Sequence, residues 1–280
     1  FNEIIAEGYG KPQSAREFTE LAQWVNYDGH RSLFESRSKN RMGLLMWMSH
    51  PCWPSMVWQT YDYYLEPTAA YFAIKKASEP LHIQWNPATD EVEVVNYSAG
   101  THSHLTARVQ ILNMDASVAW EKETTVDSRE DTTEKCIKLE FPETLSEVYF
   151  IKLWLLEDGK ILSDNFYHAS RKGINYQALK QLPEVTLDCQ AKVVQDKEGN
   201  WTATVTLTNP TSTPALMTRI NVVGDKDGDQ FLPILYEDNY FALLPGEQKE
   251  VSVRWKDVDT RGNSPVIRIT GYNVKELSRQ

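Results

Sequence analysis

The 280 residues contain no apolar run approaching ~18, so no segment is long enough to cross a bilayer as a helix. Cysteine is scarce: Cys52, Cys136 and Cys189 are far apart and odd in number, with no C-x-x-C pair and no Cys/His ligand spacing. A disulfide framework and a structural zinc site are both excluded on that count, and no metal or cofactor is expected. There is no G-x-S-x-G element and no glycine-rich phosphate loop, which removes the serine-hydrolase elbow and the nucleotide cradle. Positive charge is in deficit, with 29 Lys and Arg against 39 Asp and Glu and a net charge of −10. Neither nucleic acid nor an anionic membrane surface is an expected partner; a neutral polymer such as a glycan is compatible. The opening FNEIIAEGYG has no Met and no charged-then-apolar leader. Either a leader was removed or the chain is a piece of a longer protein, and the compartment stays open.

What the sequence does have is tryptophan, nine in all. Four of them, Trp47, Trp53, Trp58 and Trp85, fall in one short run from Gly43 to Trp85. Residues 43–48 are almost wholly apolar, as a parallel strand buried on both faces should be. The loop after it carries His50, Trp53 and Pro54. Aromatic faces at the C-terminal end of a buried barrel strand make a platform for a sugar ring.

Around this run the texture is helical. Ser14 and Glu17 form a capping box, and Phe18, Leu21, Ala22 and Val25 follow at helical spacing. A second helix is predicted over 66–78, ending in Lys75 and Lys76, cations suited to a helix C-terminus. Helix, buried strand, helix is the rhythm of a parallel α/β fold. After Glu79-Pro80 the pattern turns to short β-runs: 81–86, 91–97, 105–113, 118–126, 135–141, 148–157 and 161–168. Seven strands in ~90–100 residues is the count of an immunoglobulin-like sandwich. A linker over 170–183 leads to a second set at 185–194, 201–208, 217–223, 231–236, 240–244, 248–255 and 265–273.

Two motifs carry a resemblance. The first is Trp47-Met48, Cys52-Trp53-Pro54-Ser55, Trp58-Gln59, Tyr61-Asp62-Tyr63-Tyr64, Ala69-Ala70-Tyr71-Phe72, Lys75-Lys76-Ala77 and Glu79-Pro80-Leu81-His82. The second is Leu232-Pro233-Ile234, Glu237-Asp238-Asn239-Tyr240 and Leu243-Leu244-Pro245-Gly246-Glu247. Together they resemble the C-terminal part of glycoside hydrolase family 2, in the subgroup of exo-β-D-glucosaminidases and plant-type endo-β-mannosidases. The resemblance implies a multidomain α/β plus all-β protein. Residues 1–79 would be the C-terminal remnant of a (β/α)8 (TIM) barrel, followed by immunoglobulin-like β-sandwiches at 80–183 and 184–280. It implies a retaining, exo-acting β-glycosidase of glucosaminidase, mannosidase or galactosidase type, periplasmic or secreted. A carbohydrate substrate would be bound by the complete barrel, and the upstream domains of the same polypeptide would be the other partner.

In that family the tryptophan ending the eighth barrel strand lines the subsite for the released sugar, which by position is Trp47. Relatives have Asn, often followed by Asp, shortly after it; here the residues are Ser49-His50. His50 either faces the sugar or satisfies its hydrogen bonds within the loop. Trp53 fits the family's Trp-Pro, where packing the loop is favoured over touching ligand. Trp47, His50 and Trp53 are therefore the candidate substrate-binding residues. Trp58 and Trp85 are expected to fasten the loop and the next domain.

Retaining glycosidases need two carboxyl groups about 5 Å apart. In the family both are glutamates at the ends of the fourth and seventh strands, and both would precede residue 1. A full barrel takes about 250 residues. No catalytic residue is expected within the chain, and the segment alone is expected to be inactive. The local carboxylates have plainer readings: Glu35 in a solvated ion pair with Arg31, Asp62 as a turn or cap residue, Glu3 and Glu7 on an open helix face. Asp225-Lys226-Asp227-Gly228-Asp229 departs from the calcium-loop pattern and reads as a polar hairpin loop. Trp120, Trp154 and Trp201 read as sandwich core. A non-catalytic carbohydrate-binding or bracing module is the competing function.

Overall fold

A computed structural model describes residues 1–36, 44–55 and 59–279. The helical part is made of α1 (Asn2–Tyr9), α2 (Ala15–Glu35) and α3 (Ala69–Ala77). Glu3 and Glu7 are exposed on α1, while Ile5 and Tyr9 are buried. Helix α2 starts directly after Ser14, and Lys75 and Lys76 close α3. Between them, residues 44–48 form no strand, and Leu45 is fully exposed. The expected buried strand is thus corrected. An apolar segment becomes a two-face-buried strand only where neighbouring strands take its N–H and C=O groups, and the described residues 44–48 belong to no sheet.

The chain divides into two units. The first holds residues 1–15, 25–47 and 73–180, and the second holds 16–24, 48–72 and 181–280.

Among the described residues of the first unit, seven antiparallel strands form two sheets: β1 (Leu81–Asn86), β2 (Glu91–Asn96), β3 (His102–Asn113), β4 (Val118–Ser128), β5 (Thr132–Lys138), β6 (Val148–Glu157) and β7 (Lys160–Ser170). The orders are β1-β2-β5 and β4-β3-β6-β7. Alternate residues supply the core, among them Ile83, Val92, Val94, Ala107, Val109, Ile111, Ile151, Leu153 and Leu155, as period-2 alternation requires. The free edge of β1 is closed by side chains of β7. Ile83 N–H donates to Ser163 Oγ, Trp85 N–H donates to Tyr167 Oη, and Asn165 Nδ2 donates to the Ile83 carbonyl, each at 3.2 Å. Past β7 the predicted linker is partly docked: Leu179 is buried and Tyr176 N–H donates to the Gly8 carbonyl at 2.6 Å.

Among its described residues the second unit carries eight strands: β8 (Asp188–Gln195), β9 (Asn200–Thr208), β10 (Ala215–Gly224), β11 (Leu235–Tyr236), β12 (Phe241–Leu243), β13 (Gln248–Lys256), β14 (Pro265–Thr270) and β15 (Leu277–Arg279). Their orders are β12-β10-β14-β15 and β11-β13-β9-β8. Ala203, Val205, Leu207, Ile220, Val222, Val251, Val253, Ile267 and Ile269 form the buried alternate set. Strand β15 has no counterpart in the sequence reading, since three residues give no period. The second sequence motif is structural here. Asn239 clamps Ile220, its Oδ1 accepting the backbone N–H and its Nδ2 donating to the carbonyl. Glu247 closes its turn by accepting Leu244 N–H at 2.8 Å. The 225–229 segment is a polar loop whose carboxylates accept backbone N–H groups of Ser264 and Asp229.

Candidate functional site

Trp47 is 82% exposed and Trp53 is 67% exposed. His50 and Cys52 are exposed beside a buried Pro51. The exposure of Trp53 corrects the expectation that it packs the loop. The loop is pinned by other means: the Ser49 carbonyl accepts Tyr61 N–H at 3.0 Å and Thr60 Oγ1–H at 2.9 Å. Thr68 Oγ1 donates to the Gln59 carbonyl, and Gln23 Oε1 accepts the Ala69 N–H at the start of α3. Asp62 is a turn residue, its Oδ1 accepting N–H groups of Tyr64 and Glu66. Glu66 is held by Arg219 and by Asn221 Nδ2 at 3.0 Å. Trp58 lies outside the described residues.

Trp85 belongs to its own sandwich, packed against Phe141 and Tyr167. Trp120 also packs against that core. Trp154 departs from the core reading: it is half-buried and flanked by Arg108 and Lys152 at 5.4 and 5.6 Å from its ring. Trp201 is half-buried and stacks on buried Trp255 while its indole N–H donates to Asp257. His102 is held by Glu157 and the Ala99 carbonyl, and His104 is exposed.

Sequence reasoning missed a buried polar cluster of the first unit. Glu35 is not in a solvated pair with Arg31; both are buried, at 7% and 4% exposure. Glu35 Oε1 accepts from His82 Nε2 at 3.0 Å and from Asn165 Nδ2 at 3.0 Å, and Tyr167 Oη–H points at the same carboxylate. The other face of the His82 ring donates from Nδ1 to Glu79 Oε2 at 3.1 Å. Glu79 in turn takes Lys76 Nζ and Ser163 Oγ–H. Arg31 turns instead to Asp28, the Phe166 carbonyl and Asn165 Oδ1, with its guanidinium 4.1 Å above the Tyr167 ring. One signal was present. Alternation along β1 places His82, Gln84 and Asn86 on the face away from the core, where a buried partner has to meet them.

Burial works against charge on His82, but hydrogen bonds to Glu35 and Glu79 outweigh it and raise its pKa. Burial likewise opposes the Glu79 carboxylate, and its bonds to His82 and Lys76 prevail and lower it. Burial pushes the Tyr167 hydroxyl well up, and it lowers His168, whose Nε2 lies 2.9 Å from Tyr9 Oη. Two carboxylates on either side of one imidazole leave no room between them for a sugar ring and a water, so this cluster fastens rather than catalyses. Among the described residues, no group of three His, Cys, Asp or Glu side chains is arranged to hold a metal.

Residues 165–274 match the family model described as the exo-beta-D-glucosaminidase Ig-fold domain. The chain is 32% identical to an exo-beta-D-glucosaminidase of Streptomyces avermitilis, over 99% of this chain and 34% of the relative. It is 25% identical to the mannosylglycoprotein endo-beta-mannosidase of Lilium longiflorum, over 96% of this chain and 35% of the relative. Among solved structures, the exo-chitosanase CsxA of Amycolatopsis orientalis superposes with a TM-score of 0.91 at 28% identity, covering 99% of this chain and 36% of that one. CsxA has also been solved in complex with PNP-beta-D-glucosamine. The chain thus spans about a third of the length of the relatives it matches.

Proposed function

Because this chain belongs to glycoside hydrolase family 2, within its exo-β-D-glucosaminidase and endo-β-mannosidase relatives, we propose that the whole protein is a retaining, exo-acting β-glycoside hydrolase. The observation that carries this is the match to one exo-chitosanase through nearly the entire chain, at a TM-score of 0.91. A terminal β-linked glucosamine is the leading substrate, with mannose and galactose behind it. Residues 1–79 would form the last part of a barrel, with sandwiches at 80–183 and 184–280. The acid/base and the nucleophile would be supplied by residues outside these 280 and would act through a glycosyl-enzyme intermediate. Trp47 would present its ring to the released sugar, and His50 and Trp53 would flank that subsite. Ser49-His50 would set how the sugar's polar groups are read. The test is hydrolysis of p-nitrophenyl β-D-glucosaminide, β-mannoside and β-galactoside by the full-length protein. Release of p-nitrophenol with retention of configuration supports the reading; no hydrolysis of any of the three sinks it.

A bracing role for the first sandwich has its own support. The buried Glu35, His82 and Asn165 bonds tie the end of α2 to β1 and β7 within one unit. Bracing and catalysis by the whole protein are compatible. Glycan binding by the sandwich itself would be the alternative, and a titration with chitosan and mannan oligosaccharides separates the two.

A further inference from the structure

In the second unit β10 and β14 pair so that Arg219 opposes Thr270 and Asn221 opposes Arg268. Their neighbours Ile220, Val222, Ile267 and Ile269 are core residues, so these four share the opposite face of the sheet. That face lines a cavity of 320 Å³, which is also lined by Arg16 of α2 and by Tyr272. This is the size of a small ligand site.

The charges in it are unequally committed. Arg219 is held by Glu66. Arg16 is shared between Glu20 at 3.0 Å and Glu276 at 3.3 Å, both more than a third exposed. Arg268 is half-buried, and among the described residues no carboxylate lies within 4 Å of it and no group accepts from it. A guanidinium is always charged and offers a planar fork matched to a carboxylate. The cavity therefore holds one uncommitted cation, Arg268, together with two carboxylates, Glu20 and Glu276, that share Arg16. Those carboxylates accept hydroxyl hydrogens and repel a second anionic group.

We propose that this cavity is an accessory binding site for a sugar acid. The carboxylate lies on Arg268 and the Thr270 hydroxyl, the ring lies against Tyr272, and ring hydroxyls donate to Glu20 and Glu276. This goes beyond the glycosidase reading, and its readout is binding, independent of hydrolysis.

The test is calorimetric titration of the full chain with methyl β-D-glucuronide, methyl β-D-glucoside, methyl β-D-glucosaminide and inorganic phosphate. The glucuronide should bind at least about tenfold more tightly than the other three. Arg268→Gln should remove that advantage while leaving the glucoside unchanged. Because Arg268 has no internal partner, the variant should melt at the wild-type temperature; a fall in its melting point would assign Arg268 to the fold and overturn the proposal. So would equal binding of glucuronide and glucoside, tighter binding of the glucosaminide or phosphate, glucuronide binding undiminished in Arg268→Gln, or no binding of any probe.

Discussion

The Glu35 carboxylate, at the last residue of a 21-residue helix, accepts a hydrogen bond at 3.0 Å from Nε2 of His82 on the first strand of the sandwich. Both side chains are buried, and the second ring nitrogen is taken by Glu79. The imidazole thus sits between two carboxyl groups, with Asn165 and Tyr167 completing the hydrogen bonds of Glu35.

Removing one member leaves the others buried without their counter-charge. Glu35→Ala is expected to destabilise the protein by about 3 kcal/mol, within the range for breaking a buried pair. The urea midpoint measures it.

The same cluster sets a pH dependence. The folded His82 pKa is raised above the unfolded value of ~6.5. Its contribution is fully present below that value and is lost as pH rises through the folded pKa. The Glu79 pKa is lowered, so its contribution is present above its unfolded value of ~4.3 and is lost as pH falls through the folded one. Wild-type stability should therefore decline on the alkaline side, and in His82→Gln that decline should shrink to the smaller part left by His102, whose pKa is raised by its hydrogen bond to Glu157. Parallel stability curves for the two proteins above pH ~6.5 would contradict the assignment.

Arg219 and Glu66 form the corresponding pair in the second unit, with the Arg219 guanidinium 5.6 Å from the Tyr240 ring. Arg219→Ala should cost about 3 kcal/mol. In a double-mutant cycle with Glu66→Gln the two losses should fall well short of adding. Additive losses would mean that the residues act separately.

Trp47, at 82% exposure, contributes little to packing. In the full-length protein Trp47→Ala should lower kcat/KM on the aryl β-glucosaminide by about tenfold, the scale of one lost stacking contact. The melting temperature should not move. Unchanged kinetics would remove Trp47 from the sugar subsite.

The isolated 280-residue chain should not hydrolyse p-nitrophenyl β-D-glucosaminide. Turnover that responds to substitution at Glu35, Asp62 or Glu66 would place a catalytic carboxylate inside the chain.

The sandwich strands were legible because one buried face writes a period of two into the sequence; β1 and β6 fall on the predicted residues 81–86 and 148–157. The helices were legible from spacing and terminal cations. The apolar run at 43–48 was misread because composition reports a wish for burial, and burial needs neighbours that sequence alone does not supply. Glu35 was misread because its partners lie 47 and 130 residues away, on strands β1 and β7. Helical spacing reveals only partners three or four residues off, so Arg31 was the visible candidate. At the candidate sugar subsite, Trp47, His50 and Trp53 were legible as residues, but their exposure was not. Of the second motif, the roles of Asn239 and Glu247 emerge only once the turns they close are seen.

The side chains that β7 lays across β1 have one more consequence. Ser163, Asn165 and Tyr167 occupy the backbone groups to which a foreign strand would add. The sandwich therefore carries its own seal against edge-to-edge polymerisation. Because Glu35 and Glu79 hold those three side chains in place, loosening the helix end would expose a sticky margin as well as weaken the fold.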